Sequence, residues 1–328
     1  MIITRTPFRV SFFGGGTDYP LYYNEHGGAV LSTTMNKYCY LTVRELPPFF
    51  DHKFRIRYTE REETQNINEI RHPSVRACLN FVGIQNGIEL VHTSDIPARS
   101  GIGSSSSFTV GFLNSLFALQ GKMVSKRKLA LDAIHIEQDI LKENVGSQDQ
   151  VAAAFGGFNK IEFGGNDGVF VKPITITHEN LDYIQNCCLF YFTGFSRTAS
   201  DIAKEQIELT KQKKRELALM HEMVDESIRI LNGTQNNLND FGNLLHEAWT
   251  LKKTLSSKIS NNQIDEIYEL GRKAGALGGK ICGAGGGGFI LFFVPPENQE
   301  KVKEALKNFL LVPFRFENLG SHVIFYSQ

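Results

Sequence analysis

The chain has 328 residues, 41% of them hydrophobic, and its 35 basic and 35 acidic side chains cancel. That is enough apolar material for one large or two medium domains, and the balanced charge excludes partners held by bulk electrostatics, such as nucleic acid or an anionic membrane surface. No apolar run approaches the roughly 18 residues a bilayer requires, and the start MIITRTPFRV lacks the features of a signal peptide, so the cytoplasm is the expected location. Cys39, Cys78, Cys187, Cys188 and Cys282 show neither CxxC nor zinc-finger spacing and are expected to be reduced, buried thiols.

In chain order, IITRTPFRVSFF, GGAVLSTT, KYCYLTVRE and KFRIRYT are short β-like runs punctuated by glycine, which predicts a mixed sheet. HPSVRACLNFVG predicts a helix and IELVHTS a return to strand. SSSSFTVGFLNSLFAL and KRKLALDAIHIEQDILKE then carry helical periodicity. GGFNKIEFGGNDGVFVKP reads as a hairpin where the helical pattern stops, so a border is expected there, dividing the chain into 1–165 and 166–328. Beyond it lie a strand (NCCLFYF), two or three polar helices between Ser200 and Gly275, a strand pair around GGGGFILFFVPP, a helix (ENQEKVKEALKNFL) and closing strands. The fold class expected is α+β in two domains, the second an α/β sandwich packed beside the first.

Three glycine clusters punctuate this pattern. In IPARSGIGSSSSFTVGF, Gly101 and Gly103 stand directly before four serines that open an apolar helix. Glycines let the backbone turn its N–H groups inward, and a helix N-terminus adds unpaired donors and the positive end of its dipole, so this is an anion site by construction. It is not a Walker A loop, because GxxxxGK[ST] is absent. GKICGAGGGGFILFF contains GxGxxG at Gly283, Gly285 and Gly288, but these glycines run into a strand instead of opening a helix, which argues against dinucleotide binding. A loop that lets the phosphate-binding segment come close fits better. The third cluster, FFGGGTDYP, follows the first strand.

Two carboxylates stand in IHIEQDILKENVGSQDQVAAAFGG. Phosphoryl transfer uses one such group to hold a divalent cation on the phosphates and another to orient or deprotonate the attacking hydroxyl. Glu137 lies on a helix, and Asp149 follows twelve positions later, set between a glycine turn and an alanine-rich run where a purely solvating charge is out of place.

TPFRVSFFGGGTD, PARSGIGSSSS, EQDILKENVGSQD and CGAGGGGF, in this order from Thr4 to Phe289, resemble the GHMP kinases. The serine loop is similar to the family's PxxxGLGSS signature, with Ile102 in place of Leu. The resemblance implies an N-terminal domain like ribosomal protein S5, a ferredoxin-like C-terminal domain, and an active site between them that uses ATP and Mg²⁺. It implies that Pro97, Arg99, Ser100, Gly101, Ile102, Gly103, Ser104, Ser105, Ser106 and Ser107 wrap the ATP phosphates, with Gly285 and Gly286 shaping the site from the third loop. Ser105 and Glu137 would be the Mg²⁺ ligands, with Ser104 the adjacent candidate. Asp149 would be the catalytic carboxylate, and Arg9 would stabilise transferring charge beside it.

Galactokinases of the family carry Gly-Glu-His-Thr-Asp where this chain has Gly14 to Asp18, so the glycines empty space for a longer sugar tail. Gly15, Gly16, Thr17 and Asp18 are the implied sugar-binding residues. A phosphorylated tail would need a cation, and Ser196 and Arg197 in FTGFSRTASD offer hydroxyl, guanidinium and a helix start together. The implied reaction is phosphorylation of the C1 hydroxyl of a heptose 7-phosphate, feeding nucleotide-activated heptose for polysaccharide. An unphosphorylated sugar such as fucose or galactose, or a catalytically silent binding protein, are the alternatives. The expected partner is thus a small sugar phosphate, and a homodimer is allowed.

Overall fold

The computed structural model describes all residues except 99, 166–167, 195–198, 234–236 and 328, and only the backbone of 199–201. In order the elements are β1 (Ile2–Phe13), α1 (Pro20–His26), β2 (Gly28–Glu45), β3 (Phe54–Arg57), β4 (Arg61–Thr64), α2 (Pro73–Val82), β5 (Ile88–Ser94), α3 (Ser104–Leu119) and α4 (Lys126–Ile134). A π-helical turn, His135–Ile140, leads on to α5 (Gln148–Phe155), β6 (Asn159–Phe163) and β7 (Val169–Pro173). Then come α6 (His178–Cys187), β8 (Cys188–Phe192), α7 (Ala199–Leu209), α8 (Lys214–Leu231), α9 (Asn239–Lys253), α10 (Asn262–Lys273), β9 (Gly278–Ile281) and β10 (Phe289–Phe293). The chain closes with α11 (Gln299–Ala305), β11 (Leu310–Leu311), β12 (Phe316–Glu317) and β13 (His322–Tyr326).

Among the described residues there are two sheets. The larger has the order β13-β1-β2-β5-β3-β4, with β12 and the β6–β7 hairpin also joined to β2; the smaller has the order β11-β8-β10-β9. GGAVLSTT and KYCYLTVRE, expected as two strands, are the single 18-residue strand β2. Its pairing with β1 shifts register where Pro7 lies opposite Tyr38 and Phe8 opposite Met35. Pro7 has no N–H to give to the ladder, so this is where the long ribbon can bulge.

Helix α3 is apolar on nearly every side, with Phe108, Val110, Phe112, Leu113 and Leu116 buried. A helix of that kind has to be enclosed. It packs on β1 and β2 and against α2 and α5, so its N-terminus is fixed in the middle of the molecule. In β10, Phe289, Leu291 and Phe293 join the core around α3, whereas Ile290 and Phe292 join a second core beneath α8, α9 and α10. The smaller sheet is therefore buried on both faces, which accounts for the unbroken apolar run FILFF.

The border expected at residue 165 needs correction. β6 and β7 lie on either side of it, and both belong to the larger sheet, so the chain leaves that sheet only after Pro173. The closing strands also return to it: β12 pairs with β2 and β13 with β1. No helix among the described residues is long and apolar enough to cross a membrane. All five cysteines are buried and free.

Candidate active site

The loop before α3 turns on two glycines in the left-handed region, Gly101 (φ +81°) and Gly103 (φ +75°), and Gly103 is the residue that caps the helix. Its amide-rich first turn stands at the centre of the site. Ser106 is buried and donates its hydroxyl to Oε2 of Glu137 at 2.8 Å. Ser105, expected to offer its hydroxyl to Mg²⁺, is exposed, because successive helical residues point about 100° apart and Ser106 is the one that faces the π-turn. Ser107 is also corrected: its N–H goes to the Gly103 carbonyl and its hydroxyl to the Pro7 carbonyl, so it is a strut under the loop and has no donor left for a phosphate. Ser100 donates to the Pro97 carbonyl and the Ile102 carbonyl accepts from the Arg9 N–H, both fixing the loop's path.

Glu137 reaches the site through the π-turn. The extra residue in such a turn re-aims a side chain, which is why π-bulges gather at functional sites. Its carboxyl is fully buried and also accepts from the Gln150 amide, while its second oxygen, Oε1, has no hydrogen-bond partner. Burial pushes the carboxyl up to about 7. A buried carboxylate with a free oxygen beside a phosphate-binding helix fits a hard divalent cation, which takes one or two protein oxygens and completes its shell with phosphate and water. Among the described residues there is no cluster of three or more acidic, histidine or cysteine side chains that would make an all-protein metal cage.

On the other side of the loop, Arg9 grips Asp149 with both arms, Nε to Oδ1 at 2.7 Å and Nη2 to Oδ2 at 2.8 Å, and its third nitrogen donates to the Gly101 carbonyl at 2.8 Å. The Asp149 carboxylate lies 3.3 Å from where a Cβ on Gly103 would sit, so it flanks the start of α3. It stands in the first turn of α5, where the helix dipole favours an anion.

Asp18 is buried, and burial raises its pKa above the ordinary value. Its carboxylate accepts from the Gly16 N–H at 2.9 Å and from the Gln148 N–H at 3.4 Å, and its carbonyl accepts from the Ser147 N–H. It ties the glycine turn to the start of α5, one residue from Asp149. Thr17, expected to meet the sugar, is buried with its hydroxyl engaged by the backbone of Gly14 and Ala29, so its role is to close the turn. Gly16 faces Leu217 and Leu255, whereas a Cβ on Gly15 would lie 3.6 Å from Nζ of Lys252.

The third glycine loop packs directly on the serine loop. A Cβ on Gly283 would lie 2.6 Å from the Gly101 carbonyl, and one on Gly288 would lie 2.3 Å from the Ser100 carbonyl. Gly285 and Gly286, which were expected to shape the site, sit against Ile259 instead.

Two lysines escape a reading of the sequence. Lys252, on α9, is buried and donates to the Gly283 carbonyl at 2.7 Å; Lys280, on β9, is buried and donates to the carbonyls of Ser11 and Phe12. A signal for Lys252 exists. Phe241, Leu245, Ala248 and Trp249 form the buried stripe of α9, and Lys252 continues it at helical spacing. Arg99, Ser196 and Arg197 lie outside the described residues.

A glycine-rich helix start suited to phosphate, flanked by one carboxylate suited to a cation and another already ion-paired beside it, fits a phosphotransferase acting on a hydroxyl group. The family model "GHMP kinases N terminal domain" matches residues 71–157 and "GHMP kinases C terminal" matches 218–311. The D-glycero-alpha-D-manno-heptose 7-phosphate kinase of Campylobacter jejuni is 33% identical over 318 residues, covering 93% of each chain. The galactokinase of Pyrococcus furiosus is 23% identical over 96% of this chain and 95% of its own. Among solved structures, a D-glycero-D-manno-heptose 1-phosphate kinase from Bacteroides thetaiotaomicron superposes with a TM-score of 0.79 at 25% identity, over all of both chains. The chain belongs to the GHMP kinase family.

Proposed function

We propose that the protein is an ATP- and Mg²⁺-dependent sugar kinase that phosphorylates the C1 hydroxyl of D-glycero-D-manno-heptose 7-phosphate to the 1,7-bisphosphate, in the cytoplasm and as a step toward nucleotide-activated heptose. The observation that carries the phosphoryl-transfer reading is the Asp149 carboxylate, fixed by Arg9 and flanking Gly103, which caps the helix after the serine loop. The similarity to the Campylobacter heptose 7-phosphate kinase supports the choice of sugar.

In this reading the loop from Ser100 to Ser106 receives the nucleotide phosphates through backbone N–H groups. Glu137, with Ser106 bonded to it and Ser104 and Ser105 on the same turn, would hold Mg²⁺, which neutralises phosphate charge when bound. Asp149 accepts the proton of the attacking hydroxyl, and an anomeric hydroxyl, more acidic than an ordinary alcohol, needs only a modest base. Asp18 holds α5 and the glycine turn together so that Asp149 keeps its place. Arg197 would meet the phosphate on the sugar's tail.

The test is ADP release with Mg·ATP across hexoses, heptoses and their 1- and 7-phosphates. The highest kcat/KM is expected with heptose 7-phosphate. Faster turnover of fucose, galactose or a heptose 1-phosphate would overturn the choice of substrate, and no ADP release with any sugar would mark a silent binding protein. Arg197→Ala should raise the KM for the heptose phosphate far more than that for ATP; an unmoved sugar KM would place the tail phosphate elsewhere.

A further inference from the structure

Three buried cations surround the meeting point of the glycine loops, and their hydrogen bonds distinguish them. Arg9 is engaged by both oxygens of Asp149 and by Gly101. Lys280 is engaged by two carbonyls at the end of β1, joining β9 to β1. Neither lysine has an ion pair among the described residues, and Lys252 has one hydrogen-bond partner there, the Gly283 carbonyl, against two for Lys280. An ammonium has three N–H donors, and a buried cation without an anion is unfavourable unless something else supplies one.

The geometry says where that anion comes from. Nζ of Lys252 is 2.7 Å from the Gly283 carbonyl; a Cβ on Gly283 would lie 2.6 Å from the Gly101 carbonyl; and that carbonyl is 2.8 Å from Arg9. The ammonium therefore stands beside the serine loop, across from the Arg9–Asp149 pair, with Gly15 leaving the space next to it open. Accepting the kinase reading above, we infer that Lys252 is a catalytic residue whose ammonium meets the phosphoryl group in flight between nucleotide and acceptor.

The step balances without further reagents. The acceptor hydroxyl oxygen forms its bond to the γ-phosphorus, the bond from that phosphorus to the β,γ-bridging oxygen breaks with its electron pair leaving on ADP, and the hydroxyl proton passes to Asp149. Charge spreads over the three equatorial oxygens of the group in transit. Arg9 also keeps two of its five N–H donors, but its charge is already paired with Asp149, whereas Lys252 has two N–H donors beyond its bond to Gly283 and no ion pair among the described residues. Such a preorganised donor acts mainly on the transition state, so its loss should appear in kcat.

The groups facing the ammonium are Arg9 on β1, Asp18 in the glycine turn, Asp149 on α5, Cys282 after β9 and Lys280 on β9. Burial outweighs the two carboxylates and lowers the lysine to about 8 in the free protein. The protonated form is the one that can meet phosphate, so kcat/KM should fall as pH rises through about 8.

Full-length Lys252→Met and Lys252→Arg are compared with wild type, using the best acceptor from the ADP-release screen. Lys252→Met should lower kcat by about 10²-fold or more, with both KM values within about threefold. Lys252→Arg, charged at all accessible pH values, should recover at least a tenth of wild-type kcat and lose the alkaline fall in kcat/KM. The inference is overturned if Lys252→Met keeps more than about a third of kcat, if its loss lies only in the sugar KM, or if the alkaline fall persists in Lys252→Arg. Should the methionine variant misfold by thermal melting, the arginine pH profile alone decides. Wild-type inactivity on every sugar would instead refute the kinase reading, so the two failures are distinct.

Discussion

Asp149 owes its position to Arg9. Two hydrogen bonds from a guanidinium fix the direction in which the carboxylate oxygens point, toward a hydroxyl placed beside the start of α3. Asp149→Asn should lower kcat by about 10²–10⁴-fold with Mg·ATP binding nearly unchanged, since Asp149 flanks the loop and is not part of it; a fully active variant would remove the proton-acceptor assignment. Glu137 makes a second prediction, for stability. Its carboxyl is raised from 4.5 to about 7 by burial, so between those values the folded chain holds a proton that the unfolded chain releases, and stability falls as pH rises through that window. Without metal, the melting temperature of wild type should drop from pH 4.5 to 7 more steeply than that of Glu137→Gln. Mg·nucleotide needs the ionised form, so its affinity should rise over the same window and stay flat in the variant. Parallel melting curves for the two proteins would show that Glu137 is not a buried titrating group.

At the level of elements, the contact between the two glycine loops holds the phosphate site together. Gly101 has φ +81° and a Cβ there would lie 2.5 Å from the Cys282 carbonyl, so alanine meets both strain and collision. Gly101→Ala should destabilise by about 1–3 kcal/mol and raise the KM for ATP more than that for the sugar; an unchanged denaturation midpoint would mean the loops part easily. This loop was legible beforehand because glycines before serines before an apolar helix each have a local physical meaning. The π-turn was not, since KRKLALDAIHIEQDILKE keeps its apolar spacing while one added residue per turn re-aims Glu137 and brings it to Ser106. Nor was Lys252, because a lysine near a helix end is ordinarily solvated, and only the stripe it continues marks it as buried. Asp18 and Thr17 could be picked out as unusual, but not that their polar atoms are engaged by backbone.

Across the whole molecule, the closing strands decide what can fold alone. β13 pairs with β1 along Ile2 to Arg5, the Ser321 N–H donates to Ala153 at the end of α5, and the Ser321 hydroxyl accepts from Thr6. A border drawn from periodicity missed this return, because β12 has only two residues and pairing across some three hundred residues leaves no local signal. Loss of β13 would leave the β1 ladder unpaired on that side, and an exposed edge of a long strand invites pairing with another chain. A chain ending at Gly320 should melt at least about 5 °C below the full protein and scatter light on heating. Arg9 on β1 and Asp149 on α5 lie farther along from the cut, so at low temperature the soluble fraction should keep kcat within about threefold. A truncated chain that melts with the full one would show that β1 and β2 hold their ribbon unaided, and that the returning strand is dispensable to the site they position.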